Sequence, residues 1–154
     1  SIGIMNYGLY LYLLSLKLIF TMKLQFLHNI DNNGQFTDVV SNQLIRLFDF
    51  DHLQAAEFST VVKETIIERQ SPLHLNGLGF IDAINCDVKL RIANEDRGLT
   101  TNDNINFYCD LTFETYQNML QLIAPFCQEG SNGYQWLYDI YRPIDFLFSK
   151  GGFW

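Results

Sequence analysis

Positions 80–93 read FIDAINCDVKLRIA, and this stretch decides the predicted fold. Apolar and polar residues alternate along it, and the apolar set expected to face inward is Ile84, Cys86, Val88, Leu90 and Ile92. Successive side chains of a strand point to opposite faces, so this period of two predicts a β-strand with one buried and one solvated face.

A second stretch of the same kind lies shortly after it. Positions 105–113 read INFYCDLTF and alternate in the same way, beyond a polar loop at 94–103. We expect the two strands to pair antiparallel, which would bring Asp110 near Lys89 or Arg91 across the ladder.

Two other segments have helical periodicity. Asp51 and Gln54 predict a capping box for a helix over 52–70, which Ser71-Pro72 would end because proline has no N–H to donate. Residues 114–124 carry an apolar stripe at helical spacing, and Pro125 marks the end of this second helix.

Strand pairs are predicted at both ends of the chain. Lys23–Ile30 is predicted to be a strand, and the turn residues 31–34, DNNG, follow it. A return strand is predicted over 43–50, although the apolar residues of that segment would also form one face of a short helix. A final hairpin is expected after residue 134. The order β-β-α-β-β-α-β-β predicts an α+β fold, a mainly antiparallel sheet of about six strands with two helices on one face.

The first 22 residues differ in composition from the remainder. Fifteen of them are apolar and only Lys17 is charged, whereas residues 23–154 are predicted to form a single globular α+β domain. Alternation from Leu16 to Phe26 predicts an extension of the first strand. The alternatives are a translated leader ahead of a start at Met5 or Met22, and a membrane anchor, since about 20 apolar residues can span the hydrocarbon core.

Charge and cysteine content narrow the classes of partner and compartment. The chain has 10 Lys+Arg against 17 Asp+Glu, a net charge of −7, which argues against nucleic-acid binding. Cys86, Cys109 and Cys127 show no metal-ligand spacing, so we expect reduced structural thiols in a soluble, cytoplasmic protein without a cofactor. The alternative is a disulfide between Cys86 and Cys109.

Several acidic and histidine side chains are weak catalytic candidates. Asp49, Asp51 and His52 lie at a predicted strand-to-helix junction, where helix capping is the competing explanation. His28 and Asp82 fall in the apolar register of their strands, where a buried ionisable group would be a functional candidate. We expect a hydrogen-bonded role for His28 and solvent exposure for Asp82.

One segment resembles half of an EF-hand calcium loop. Asn29, Asp31 and Asn33 occupy ligand positions ahead of Gly34, but Val40 stands where the loop needs a bidentate carboxylate. A hairpin turn is therefore the favoured interpretation, and no metal is predicted.

Aromatic residues concentrate near the C-terminal end. Tyr134, Trp136, Tyr138 and Trp154 would either close the core or form a surface that binds a partner. Catalytic and phosphate-binding motifs are absent from the sequence. We therefore expect a small intracellular binding or accessory domain that contacts another protein. The alternatives are an enzyme with a dispersed carboxylate/His site and a membrane-tethered accessory domain.

Overall fold

The structure is a computed structural model that describes residues 8, 9, 11, 21–30, 42–138 and 143–151. The predicted strand extension through residues 16–20, the turn at 31–34 and Trp154 lie outside these ranges. Within them, none of the helices has the length and apolar character needed to cross a membrane.

The described residues form nine strands in two mixed sheets. The strands are β1 (Met22–His28), β2 (Gln43–Phe48), β3 (Leu73–His74), β4 (Ile81–Ala83), β5 (Asp87–Ile92), β6 (Gly98–Thr101), β7 (Asn106–Leu111), β8 (Tyr134–Tyr138) and β9 (Asp145–Ser149). One sheet has the order β4-β1-β2-β9-β8, and the other has the order β3-β5-β7-β6.

The predicted α+β class is confirmed, but the arrangement of its strands differs from the prediction. The β1–β2 and β8–β9 pairs are antiparallel, as expected. The β1–β4, β2–β9 and β5–β7 pairs are parallel. Two mixed sheets therefore replace the single, mainly antiparallel sheet of about six strands.

The alternating stretch at 80–93 contributes a strand to each sheet: β4 belongs to the five-stranded sheet and β5 to the four-stranded one. Two asparagine side chains hold the crossing chain by pairing with backbone groups. Asn85 accepts a hydrogen bond from Phe26 N at 2.8 Å and donates one to Phe26 O at 2.9 Å. Asn76 donates to Cys86 O at 2.8 Å and accepts from Val88 N at 3.0 Å. These amides take the place of strand neighbours, so the chain changes sheets without leaving those groups unpaired.

The expected antiparallel pairing of 80–93 with 105–113 is wrong because the loop between them contains β6. This strand forms a hairpin with β7, and β7 returns between β5 and β6, parallel to β5. Asp103 stabilises the hairpin turn by accepting hydrogen bonds from Ile105 N and Asn106 N. The predicted proximity of Asp110 to Arg91 is confirmed, because the two residues are register partners in the parallel ladder.

The alternation predicts side-chain burial correctly in the middle of these strands and fails at their ends. Val88, Leu90, Phe107, Cys109 and Leu111 are buried. Ile84, Ile92 and Ile105 were expected to face inward but are 49%, 36% and 56% exposed. Asp110 was expected to face water but is only 7% exposed, because it pairs with Arg91.

Two α-helices form close to their predicted positions. Helix α1 spans His52–Val62 and continues as a π-helix over Lys63–Glu68; helix α2 spans Phe113–Ile123 and ends in a 3-10 turn over Ala124–Cys127. Leu53, an apolar residue of the first turn of α1, is 66% exposed.

One hydrophobic core receives side chains from both sheets and both helices. Phe26 of the first sheet meets Phe107 of the second, with ring centroids 4.7 Å apart. Phe58 of α1 stacks on Phe148 of β9 at 5.8 Å. The core therefore fixes the positions of α2 and β8, whose facing sides line a groove.

Candidate functional site

The Asp51 carboxylate caps α1, as its sequence position predicts. It accepts a hydrogen bond from Gln54 N at 2.8 Å, and Gln54 Oε1 accepts one from Asp51 N at 3.0 Å. His52 is the first residue of the helix and is partly exposed. The local capping geometry accounts for Asp51 without a catalytic role.

Two other catalytic candidates lie beside Lys23. Asp49 is exposed and places its Oδ2 2.6 Å from Lys23 Nζ, and the exposed Asp82 is the register partner of Lys23 in β4. His28 is exposed at the other end of β1, five residues beyond Lys23 and so about 16 Å away along the strand at about 3.3 Å per residue. Its ring stacks on Phe26. The structure thus separates His28 from the acidic pair.

Metal-binding geometry is not found among the described residues: no three His, Cys, Asp or Glu side chains there converge as metal ligands. Asn29 is exposed with φ 54°, whereas Asp31 and Asn33 lie outside the described ranges. The three cysteines are free thiols, as predicted.

The aromatic residues predicted to bind a partner differ in how exposed their side chains are. Tyr134 is 54% exposed, Trp136 is partly buried, and Tyr138 is only 5% exposed. Tyr138 therefore belongs to the core, while Tyr134 and Trp136 remain accessible, with ring centroids 6.3 Å apart.

Trp136 lines a groove of about 350 Å³ between β8 and α2. One wall is residues 135–138 of β8, and the other is one face of α2, Thr115, Asn118, Met119 and Leu122. Gln135 and Trp136 are consecutive, so their side chains point to opposite faces of the sheet. A cavity lined by both residues runs along the edge of the strand instead of over one face.

The backbone register shows that polar groups of β8 face this edge. Lys150 N donates to Gly133 O at 3.0 Å, which makes these two residues a hydrogen-bonded pair. The alternate positions Tyr134 and Trp136 then point their N–H and C=O groups away from β9. Among the described strands, β8 is the last of its sheet. The Gln135 side-chain amide donates to Trp136 O at 3.1 Å, so the strand's own side chain satisfies one edge carbonyl.

Asp96 contributes an anionic group to the groove. Its carboxylate accepts hydrogen bonds from Thr112 N at 2.8 Å and Thr115 Oγ1 at 2.7 Å, which attach it to the start of α2. Partial burial acts to raise the pKa of Asp96, but these hydrogen bonds outweigh it and lower the pKa below its ordinary value. The carboxylate is therefore ionised at neutral pH.

The sequence indicated only part of this site. The aromatic cluster pointed to Trp136, but Asn118, Leu122 and Asp96 had no local signal because they join the groove through packing of α2 against β8. Sequence reasoning also missed the contact between His74 Nε2 and Asp87 Oδ1, which are 13 positions apart on neighbouring strands. The strand register alone brings them together.

Comparison with known proteins identifies no matching family model and no curated protein with significant sequence similarity.

Proposed function

We propose that this protein is a binding domain that captures an extended polypeptide segment along the edge of β8. The observation that carries the proposal is the groove between an edge strand and one face of a helix. An extended peptide can add to such an edge through main-chain hydrogen bonds, while pockets beside the strand select alternate side chains.

The main-chain part of the interaction would use Tyr134 and Trp136. Their N–H and C=O groups point away from β9, so a new strand can pair with them at a two-residue spacing. Gln135 now donates to the Trp136 carbonyl, and an incoming peptide N–H would replace or share that bond. One outward group, the Trp136 carbonyl, is therefore hydrogen-bonded before the peptide binds, and a rotation of the Gln135 side chain would release it.

The side-chain part of the interaction would use α2. Leu122 gives the helix wall a partly exposed apolar surface above the buried Met119, and Trp136 provides the aromatic surface opposite it. Large aromatic side chains in such positions contribute strongly to protein binding. We expect the bound segment to place an apolar side chain between these walls.

The proposed cellular setting is the cytoplasm. All three cysteines are free thiols, and Cys86 and Cys109 are buried. Disulfides persist mainly in oxidising compartments, so three unpaired cysteines favour a reducing one.

The decisive test uses peptides selected from a random peptide display library on the immobilised full chain. A selected peptide is synthesised with N-methyl groups on alternate residues, in two versions that together cover every position. Strand addition requires only every second peptide N–H to face β8. One version should lose at least about tenfold in affinity by calorimetry, equivalent to about 1.4 kcal/mol, and the other should bind nearly as well as the parent.

A matched pair of variants locates the binding surface. Asn118→Arg places a long charged side chain in the groove and should weaken binding at least about tenfold. Gln117→Arg adds the same charge at the neighbouring exposed position outside the groove and should leave affinity within about twofold. Equal affinities of the two variants, equal effects of the two methylation patterns, or failure to select any peptide would each overturn the proposal.

A further inference from the structure

The outward face of the four-stranded sheet is a second candidate surface, separate from the β8 groove. Adjacent strands place His74, Lys89, Tyr108 and Thr100 side by side in one row across this sheet. His74, Tyr108 and Thr100 are exposed, and Lys89 is partly exposed. The apolar residues of the same strands point to the core, so the outward face is polar with one aromatic side chain at its centre.

Tyr108 is held in place on this face. The Arg91 guanidinium carbon lies 4.1 Å from the centroid of the Tyr108 ring, a cation–π contact that covers one side of the ring. Arg91 is itself fixed by two hydrogen bonds to Asp110, at 2.7 and 2.8 Å. The ring is still 38% exposed, so a rigid aromatic surface remains open to a ligand.

The charges of this face largely compensate each other. Arg91 pairs with Asp110, and His74 contacts Asp87. At the β6–β7 turn, Asp103 accepts hydrogen bonds from the backbone N–H and the side-chain amide of Asn106, at 2.8 Å each. With Lys89 and Arg91 positive and Asp87, Asp103 and Asp110 negative, the face carries a formal charge of only −1. This near balance favours a neutral ligand over an anion or a cation.

Two hollows flank Tyr108 and supply hydrogen-bonding groups. The larger is about 280 Å³ and is lined by residues 100–103, TTND, with Asn106 and Tyr108. The smaller is about 90 Å³ and lies between Tyr108 and the His74–Asp87 contact. Hydroxyl, amide and carboxylate groups, together with the His74 imidazole and the Lys89 ammonium, therefore surround the exposed aromatic ring on two sides.

We propose that this face binds a neutral carbohydrate. The C–H groups of a sugar ring carry slight positive charge and can lie against the electron-rich face of Tyr108. The sugar hydroxyls both donate and accept, so they match the mixed hydroxyl, amide and carboxylate lining of the hollows. A nucleic acid is disfavoured because the chain carries a net charge of −7.

The test is calorimetric titration of the full chain with cellohexaose, laminarihexaose, xylohexaose, mannohexaose and maltohexaose. At least one should bind, with an affinity that is unchanged when salt is raised to about 0.5 M, because a neutral ligand is not screened. Tyr108→Ala should weaken this binding at least about tenfold, whereas Tyr108→Phe, which keeps the ring, should bind within about threefold of the wild type.

Two further variants separate local loss of binding from loss of fold. Tyr134→Ala removes an exposed tyrosine from the other sheet and should bind like the wild type. Thr100→Arg fills the larger hollow from an exposed position and should weaken binding even if Tyr108→Ala fails to fold. No heat with any of the five sugars, salt-dependent binding, or full affinity in Thr100→Arg would overturn the proposal.

Discussion

Replacing Tyr116 with phenylalanine tests how α2 is attached to the second sheet. Tyr116 is fully buried, and its hydroxyl lies 2.9 Å from Arg91 O on β5 and 2.7 Å from Cys109 O on β7. Burial raises the pKa of Tyr116, so the hydroxyl stays protonated and can donate. The helix is thereby hydrogen-bonded to the two strands whose parallel pairing the sequence did not predict.

The expected cost of Tyr116→Phe follows from these contacts. The phenol has one proton, so it donates to one carbonyl at a time, and the substitution removes one net hydrogen bond worth about 1 kcal/mol. It also leaves a carbonyl next to the core with one partner fewer, which brings the expected loss in free energy of unfolding to about 1.5 kcal/mol. For a chain of this length, that loss corresponds to a Tm lowered by about 3–6 °C.

Thermal and urea unfolding followed by circular dichroism measure this loss, with Tyr134→Phe as the matched control. Tyr134 is 54% exposed, so removal of its hydroxyl should change stability by no more than about 0.5 kcal/mol. A loss for Tyr116→Phe that is no larger than the loss for this control would refute the bridging role of the hydroxyl.

Two further predictions concern ionisation. Hydrogen bonds from the backbone and side chain of Asn106 lower the pKa of Asp103 to about 2 from an ordinary value of 3.8, so the stability they confer is complete above about pH 4 and is lost toward pH 2. Wild-type Tm should therefore fall more steeply over that range than the Tm of Asp103→Asn, and parallel curves would contradict the assignment. Burial raises the pKa of Cys86 to about 11 and that of Cys109 to about 12, and Cys127 is the least buried of the three. Iodoacetamide at about pH 8 should label Cys127 first in peptide mass spectra, and faster labelling of Cys109 would contradict its burial.

Much of the secondary structure could be predicted because its signals are local. The capping box of Asp51 and Gln54 depends on side chains three positions apart, and it forms as expected. The β1–β2 and β8–β9 pairs join strands that are neighbours in the chain, and both are antiparallel as expected. Contacts over such short separations leave a recognisable pattern in the sequence.

The arrangement of the strands could not be predicted in the same way. The alternation at 80–93 shows no break at Asn85, where the backbone changes sheets, because the amide that pairs there with the Phe26 backbone is an ordinary polar residue in the pattern. The short strand β6 was hidden in a polar loop, and its insertion makes β7 run parallel to β5. A period of two identifies a strand but carries no information about its neighbour or their relative direction.

The two candidate surfaces also combine residues that the sequence indicates with neighbours that only long-range packing supplies. By itself the sequence determined the α+β class, the net negative charge and the capping box of the first helix, and it singled out Tyr134, Trp136 and Tyr138 without separating core from surface. Only the tertiary structure decided that Trp136 lies beside α2 in a groove, and that Tyr108 lies under Arg91 at the centre of a polar sheet face. The physical reason is that helix capping and strand periodicity act between near neighbours, whereas a groove or a sheet face is created by the long-range packing that brings distant segments together.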